Sequence, residues 1–452
     1  MNNFVISEGK EFFSIFKRIK NRDFSGNSGI AIRNTVYQFA YNFVSKIGSL
    51  IFTVILARIL MPELFGLYSL ALSTIIILSL FTDLGAGQTL VRFISGEISK
   101  KRTSKARAYA IYLFKLKFIL TSGVLILFLL LAKPLSEYYQ KPIFLILLSG
   151  CLYLFSISIA SFLQSFFHAL NDFKTNFIRE SLFQLMRLII IPVLVLYFIS
   201  KAISGEKILV FIFVCFGILW VILALFLLIK IKKTPVFSAK KIKLALKEKK
   251  QVNSFFVSLV LFSIFSIIFS YTDILLLGGF VSLEYIGYYQ VAMGLVGSLS
   301  TLVLFSGSLF PVFSSMKGDA LESGFNRTLK ITFIISFVMC AGVLLFSKVI
   351  IEMLYGQAYL QAVPFFRELC LLLILLPFTS LYGAYFIAKG KPEIIKNLLI
   401  FVSLFNLGLN FLVVYFFSQY SYSYAVFGLI SGTVFSNIIY LIGCILKKNK
   451  SF

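Results

Sequence analysis

The sequence predicts an all-α polytopic membrane protein with about twelve transmembrane helices in two pseudo-symmetric six-helix bundles. Three observations predict it. Apolar runs of 18 or more residues recur along the whole chain, each long enough to cross roughly 30 Å of hydrocarbon as a helix. Basic residues fall almost entirely in alternate connections. A short turn motif recurs about half a chain apart.

Composition agrees. Of 452 residues, 59% are hydrophobic and 13% charged, with mean hydropathy +0.95. A soluble domain of this length would carry about 25% charge. A transmembrane barrel would show short alternating segments of about ten residues, which these runs do not. The net charge of +25 is spread over short loops, where anionic lipid accounts for it better than nucleic acid.

The elements follow in order. Residues 1–32 form a basic tail, expected on the cytoplasmic side. Within it Phe12, Ile15, Phe16 and Ile19 share one helical face, which suits either an interfacial helix or a mobile tail. It lacks the apolar core and small-residue cleavage site of a signal peptide. Spans 33–58, 65–91, 108–131, 143–168, 176–200 and 208–230 make a first bundle over 33–230. A basic linker, 231–250, follows; from Lys230 to Lys250 there are nine Lys/Arg and one acid, Glu248. Spans 252–280, 285–313, 329–347, 362–388, 394–417 and 423–446 make a second bundle over 251–446. A basic tail, 447–452, ends the chain.

Orientation comes from charge. Of 43 Lys/Arg, 34 lie in one alternate set of loops and tails or at the helix ends bordering them. Six belong to the other set: Arg58, Lys133, Lys141, Lys201, Lys207 and Lys348. Both termini are therefore expected in the cytoplasm, with the protein in the plasma (inner) membrane. Three cations, Lys46, Arg187 and Arg367, sit inside apolar helices and fit neither set.

The repeat pairs Glu63-Leu64-Phe65-Gly66-Leu67-Tyr68 with Glu284-Tyr285-Ile286-Gly287-Tyr288-Tyr289 at an offset of 221 residues. Ala169-Leu170-Asn171 pairs with Ala388-Lys389-Gly390 at 219. Both halves start on the same side, so the repeat is parallel and its axis lies along the membrane normal.

The stretch from Ala57 through Arg58, Ile59, Leu60, Met61 and Pro62 into that first motif resembles the signature joining the first two spans of polysaccharide-export flippases. Asp83-Leu84-Gly85 and Leu90-Val91-Arg92-Phe93 are similar to the end of their second span. The resemblance covers most of the chain. It points to the O-antigen flippase family of the multidrug, oligosaccharidyl-lipid and polysaccharide exporter superfamily. It implies two six-helix bundles in a V, a central cavity and alternating access.

The candidate site residues are the charges and polar groups that hydrocarbon would otherwise exclude. Lys46 lies about 18–20 Å from either end of its span, too deep to snorkel. It anchors an anionic substrate such as a lipid diphosphate, or pairs with an acid on another helix. Arg187 lies about 12 Å beyond Arg179. Its planar donors suit phosphate, and the alternative is a pair with Glu180 or another acid. Its counterpart at the 219 offset is Asn406. Arg367, beside Glu368 near the outer face, is a head-group contact or an interfacial anchor.

Asp273, between Thr272 and a run of apolar residues, is a coupling acid for a proton or sodium gradient, or the partner of Lys46. Asp83 is a gating acid or a helix-end pair. Asn406 and Asn410, four apart on one face, with Gln290 and Gln88, form either a glycan-contacting wall or interhelical hydrogen bonds. Gly428 and Gly432 have the spacing of close helix packing.

No catalytic or metal set is legible. His168 is the single histidine, and the five cysteines lie in apolar spans without CxxC spacing. The expectation is a non-enzymatic flippase, monomeric and without cofactor. Its substrate is a lipid-linked oligosaccharide, with anionic lipids around it and a glycan polymerase or glycosyltransferases as possible associates. An ion-coupled multidrug or small-solute antiporter would favour acidic cavity residues instead. A membrane glycan polymerase or ligase would need a sizeable outer loop.

Overall fold

The computed structural model describes residues 26–240, 242–303 and 319–449. The interfacial helix expected around 12–19 lies outside them. The described chain is all helical: α1 (Gly26–Phe81), α2 (Ala86–Ser99), α3 (Thr103–Tyr139), α4 (Phe144–Ala169), α5 (Phe173–Ser200), α6 (Gly205–Lys232) and a four-residue α7 (Pro235–Ser238). After the linker come α8 (Leu246–Phe280), α9 (Leu283–Val303), α10 (Asp319–Tyr355), a 3₁₀ turn (Gln357–Tyr359), α11 (Ala362–Leu369), α12 (Leu372–Ala388), α13 (Pro392–Ser418) and α14 (Tyr422–Asn449).

Helix α1 contains the first two predicted spans. They meet at Met61, whose φ of 62° and ψ of 167° leave the helical region. The cause is Pro62: its ring disfavours helical geometry at the residue before it, and it then starts the second arm well. Ten helices are long and apolar enough to span a membrane; with the two arms of α1 counted separately and the 21-residue α9 added, the described residues hold twelve such segments, six in each half.

Two boundaries differ from the sequence expectation. The second span does not run unbroken to 91. It stops at Phe81, and Leu84 (φ 39°) and Gly85 (φ 93°) turn the chain left-handed before α2. Such a turn ends a helix, and glycine takes it at little cost. The motif Asp83-Leu84-Gly85 is thus a helix stop. The tenth span is likewise divided into α11 and α12.

The halves meet along α1, α8 and α9. On the side away from the basic loops the two repeated turns pack on each other. A methyl group added at Gly66 would fall on the Leu283 carbonyl oxygen, and one at Gly287 would fall on that of Pro62. Pro62 and Leu283, like Gly66 and Gly287, are 221 residues apart. The contact is therefore reciprocal, as a twofold axis between the halves requires.

Around this seam Tyr359 donates to the Ala57 carbonyl at 2.8 Å. Arg58 Nε donates to the Leu354 carbonyl at 2.7 Å, and its Nη2 donates to Met353. The far side is closed. On the basic side Lys105 pairs with Glu248 at 2.6 Å, Tyr112 donates to Asn253 at 2.9 Å, and Arg92 lies 4.0 Å over the Phe255 ring. These contacts hold the start of α8 against α2 and α3.

Candidate functional site

One face of α1 packs on α4 and α5. Gly48 on this face meets the Gln184 side chain, Tyr41 receives a hydrogen bond from Gln164 at 3.1 Å, and Phe52 lies under Arg187. Lys46 sits about 160° round the helix from Gly48. It is exposed, and no hydrogen bond or ion pair ties it among the described residues. Ala57 lies eleven residues further along, three turns to within about 20°. Ala57 is fully buried, with its carbonyl held by Tyr359 of the second half. The helix face that forms the closed seam at Ala57 therefore continues, about 16 Å toward the basic side, to Lys46.

Arg187 lies elsewhere. Its guanidinium is 4.7 Å from the Phe52 ring centroid and 5.1 Å from that of Phe183, inside the first bundle. Burial with aromatic faces is favourable for a cation, because ring quadrupoles present negative charge. Nε and Nη2 have no hydrogen-bond partner among the described residues. Glu180 is not its partner. That carboxylate accepts from Arg179 at 3.0 Å and from Gln184 at 2.7 Å. Helix α5 runs on through Pro192. Arg367 donates to Ser347 at 2.7 Å on the exposed side of α11, while Glu368 accepts from Ser431. The three cations read from the sequence thus occupy three different places.

Asp273 is buried in the second bundle. Its carboxylate accepts from Asn410 at 2.9 Å, Thr433 at 3.0 Å and Tyr289 at 3.1 Å. These donors come from α13, α14 and α9, so four helices converge on one carboxylate. Lys46 is not among its partners. Asn406 donates to Ser436 at 3.2 Å, so both asparagines make the interhelical bonds that were one of their two readings. The buried oxygens Asn410 Oδ1 and Asn437 Oδ1 have no partner in this cluster. Gly428 and Gly432 bring α14 close to Val413 and Asn410 of α13. Gln290 is half-buried on α9 and Gln88 is exposed on α2.

Asp83 does pair, with Lys117 of α3. Lys117 is fully buried on α3, and its ammonium reaches Asp83 Oδ1 at 3.5 Å, the Thr82 carbonyl at 2.9 Å and Thr82 Oγ1 at 3.1 Å. An ammonium has three donors, and all three find oxygen here. Thr82 and Thr121 in turn meet Ser158 of α4 at 2.6 and 2.8 Å. The break in α1 frees the Thr82 carbonyl, and Lys117 takes it up.

Sequence reasoning assigned Lys117 and Arg179 to the basic helix borders and missed their burial. Arg179 is 1% exposed; besides Glu180 it reaches Gln164 at 2.9 Å and Tyr41 at 3.3 Å. One signal was available for Lys117. It lies nine residues into the span that starts at 108, about 14 Å and as deep as Arg187 lies beyond Arg179.

Two packed six-helix halves of apolar helices with internal charges define a multi-pass membrane protein, and a multidrug resistance MATE family transporter of the MOP superfamily shares this fold, with TM-score 0.63 at 15% identity over 91% of this chain and 94% of that one. The chain belongs to the Polysaccharide biosynthesis protein family, whose profile matches residues 31–317. An uncharacterized membrane protein of Methanocaldococcus jannaschii is 24% identical over 368 residues, 77% of this chain and 71% of that protein. The teichuronic acid biosynthesis protein TuaB of Bacillus subtilis is 27% identical over 126 residues, 27% of this chain and 26% of that one. Among solved structures, the lipid II flippase MurJ in an inward closed conformation superposes with TM-score 0.72 at 15% identity, covering 92% of this chain and 87% of MurJ.

Proposed function

We propose that this protein is a flippase that moves a lipid-linked oligosaccharide across the cytoplasmic membrane for assembly of a surface polysaccharide. One observation carries the reading. Lys46 is a deep, exposed cation without a counter-ion among the described residues, in helical line with Ala57, which the second half holds at the closed seam. A free charge at that depth costs about 2.5–3.5 kcal/mol on insertion scales, so an anionic ligand or an aqueous cleft must meet it. A diphosphate-linked glycan fits both: its phosphates meet the ammonium, its sugars stay in the cleft, and its lipid tail remains in the bilayer. Family membership and the local likeness to a teichuronic acid biosynthesis protein support this substrate class. Gln290 is the candidate for sugar contact, and Arg367 for the head group at the outer mouth.

The basic side is cytoplasmic in this reading, and both termini lie there. Transport then proceeds by rocking of the halves, with release of the Gly66/Gly287 seam opening the outer side. Asp273 supplies coupling. A carboxylate enclosed by neutral donors binds a proton or a small hard cation, and the unpartnered oxygens of Asn410 and Asn437 are further ligands of the kind sodium accepts. A drug antiporter would expose its acid to the cleft. Asp273 is instead enclosed, which favours a coupling role.

The test uses purified protein in liposomes with a fluorescent lipid-linked oligosaccharide. Lys46→Ala should abolish translocation and Lys46→Arg should preserve most of it. Normal translocation by the alanine protein would sink the assignment.

A further inference from the structure

On the outside of the first bundle, α2, α3, α4, α6 and α7 line a cavity of about 650 Å³. This is within the range of ligand pockets. Its walls are apolar, built by Phe114, Phe118, Phe162, Phe166, Leu228 and Phe237, and no acid lines it. Two lysines do: Lys115 of α3 and Lys232 in the last turn of α6. Both are exposed, and neither has an acidic partner among the described residues. The floor is set by α7. Phe237 packs edge-on against Phe166 at 5.7 Å, and Arg107 lies 5.5 Å over Phe237 and donates to the Ala239 carbonyl. Arg107 Nε is buried there without a partner among the described residues.

An apolar slot in the bilayer with uncompensated cations at its basic-side mouth matches one ligand chemistry: acyl chains below, an anionic head above. We infer that this groove is a binding site for an anionic glycerophospholipid of the leaflet on the basic side. The acyl chains lie along Phe114, Phe118 and Phe162, and the phosphate sits between Lys115 and Lys232. The site is separate from the transport path. The seam runs along α1, α8 and α9, whereas the groove is lined from α2, α3, α4, α6 and the linker helix α7, with no residue of α1, α8 or α9. A lipid held here braces α7 and the start of the linker against the first bundle. The inference does not depend on which substrate is transported.

Native mass spectrometry of the full-length protein with phosphatidylglycerol tests it. The wild type should retain a phosphatidylglycerol adduct and discriminate against phosphatidylcholine. Two lysines at an anionic head are worth about a thirty-fold change in affinity, so the Lys115→Gln/Lys232→Gln protein should lose that adduct. Lys100→Gln/Lys101→Gln, with the same change in net charge, should keep it. Ile111→Trp, which narrows the groove without altering charge, should weaken it. Equal retention by the Lys115/Lys232 double variant and wild type would overturn the site. So would equal retention of phosphatidylcholine, or displacement of phosphatidylglycerol by a polyprenyl phosphate that itself depends on the two lysines.

Discussion

Gly66 and Gly287 each lie against the other half's turn at the position equivalent to the one their own turn offers in return: Gly66 on Leu283, Gly287 on Pro62. The contact is backbone on backbone, so any side chain at either glycine must separate the halves. Because the two contacts are related by the repeat, they open and close together.

Gly66→Val should therefore force the far side apart. Overpacking of this kind typically costs about 1–3 kcal/mol. The expected outcome is a protein that reaches the membrane and loses most export. A cysteine pair placed across the seam should crosslink in the wild type and fail to do so in the variant. Gly287→Val should give the same phenotype, since it strikes the symmetric contact.

Replacing Asp273 with Asn removes the charge and keeps the size. Hydrogen bonding to Tyr289 and Thr433 can persist, so the protein should fold. Transport should lose its dependence on an imposed ion gradient. Flux that still responds to a proton or sodium gradient in proteoliposomes would remove Asp273 from coupling.

Lys117→Met leaves the Thr82 carbonyl and hydroxyl facing an apolar chain. An unsatisfied buried acceptor costs about 1–3 kcal/mol. The thermal midpoint in detergent should fall by several degrees, and proteolysis should begin within 82–86. Lys117→Arg should recover part of the loss.

Arg179→Ala would strand the Glu180 carboxylate in the first bundle, where it is 4% exposed. Breaking a buried pair in this way costs about 3–5 kcal/mol. Poor expression is expected. Arg179→Ala combined with Glu180→Gln should express better than the single variant, because the uncompensated charge is gone.

Hydrophobic length and charge alternation made the helices and their order legible, because a bilayer punishes both kinds of error. The offset between Gly66 and Gly287 made the twofold legible, though not the fact that the two turns touch. Depth along a helix singled out Lys46, and an acid beside an apolar run singled out Asp273. Direction around the helix was not readable: Lys46 and Arg187 look alike in sequence, yet Lys46 is exposed and Arg187 lies inside the first bundle over Phe52. Lys117 and Arg179 were hidden by proximity to basic loops. What sets them apart is the free carbonyl at Thr82 and the acid at Glu180, which only tertiary packing brings within reach.

The bonds that Arg58 and Tyr359 make across the halves end on main-chain carbonyls, those of Met353, Leu354 and Ala57. Every residue carries that acceptor, so mutation at the receiving positions leaves these bonds unchanged as long as the helices keep their course. Each bond therefore depends on the identity of one residue rather than two. Such a closure can drift on its accepting side without compensating change on the donating side. Residue covariation across these bonds should be weak even though they hold the halves together.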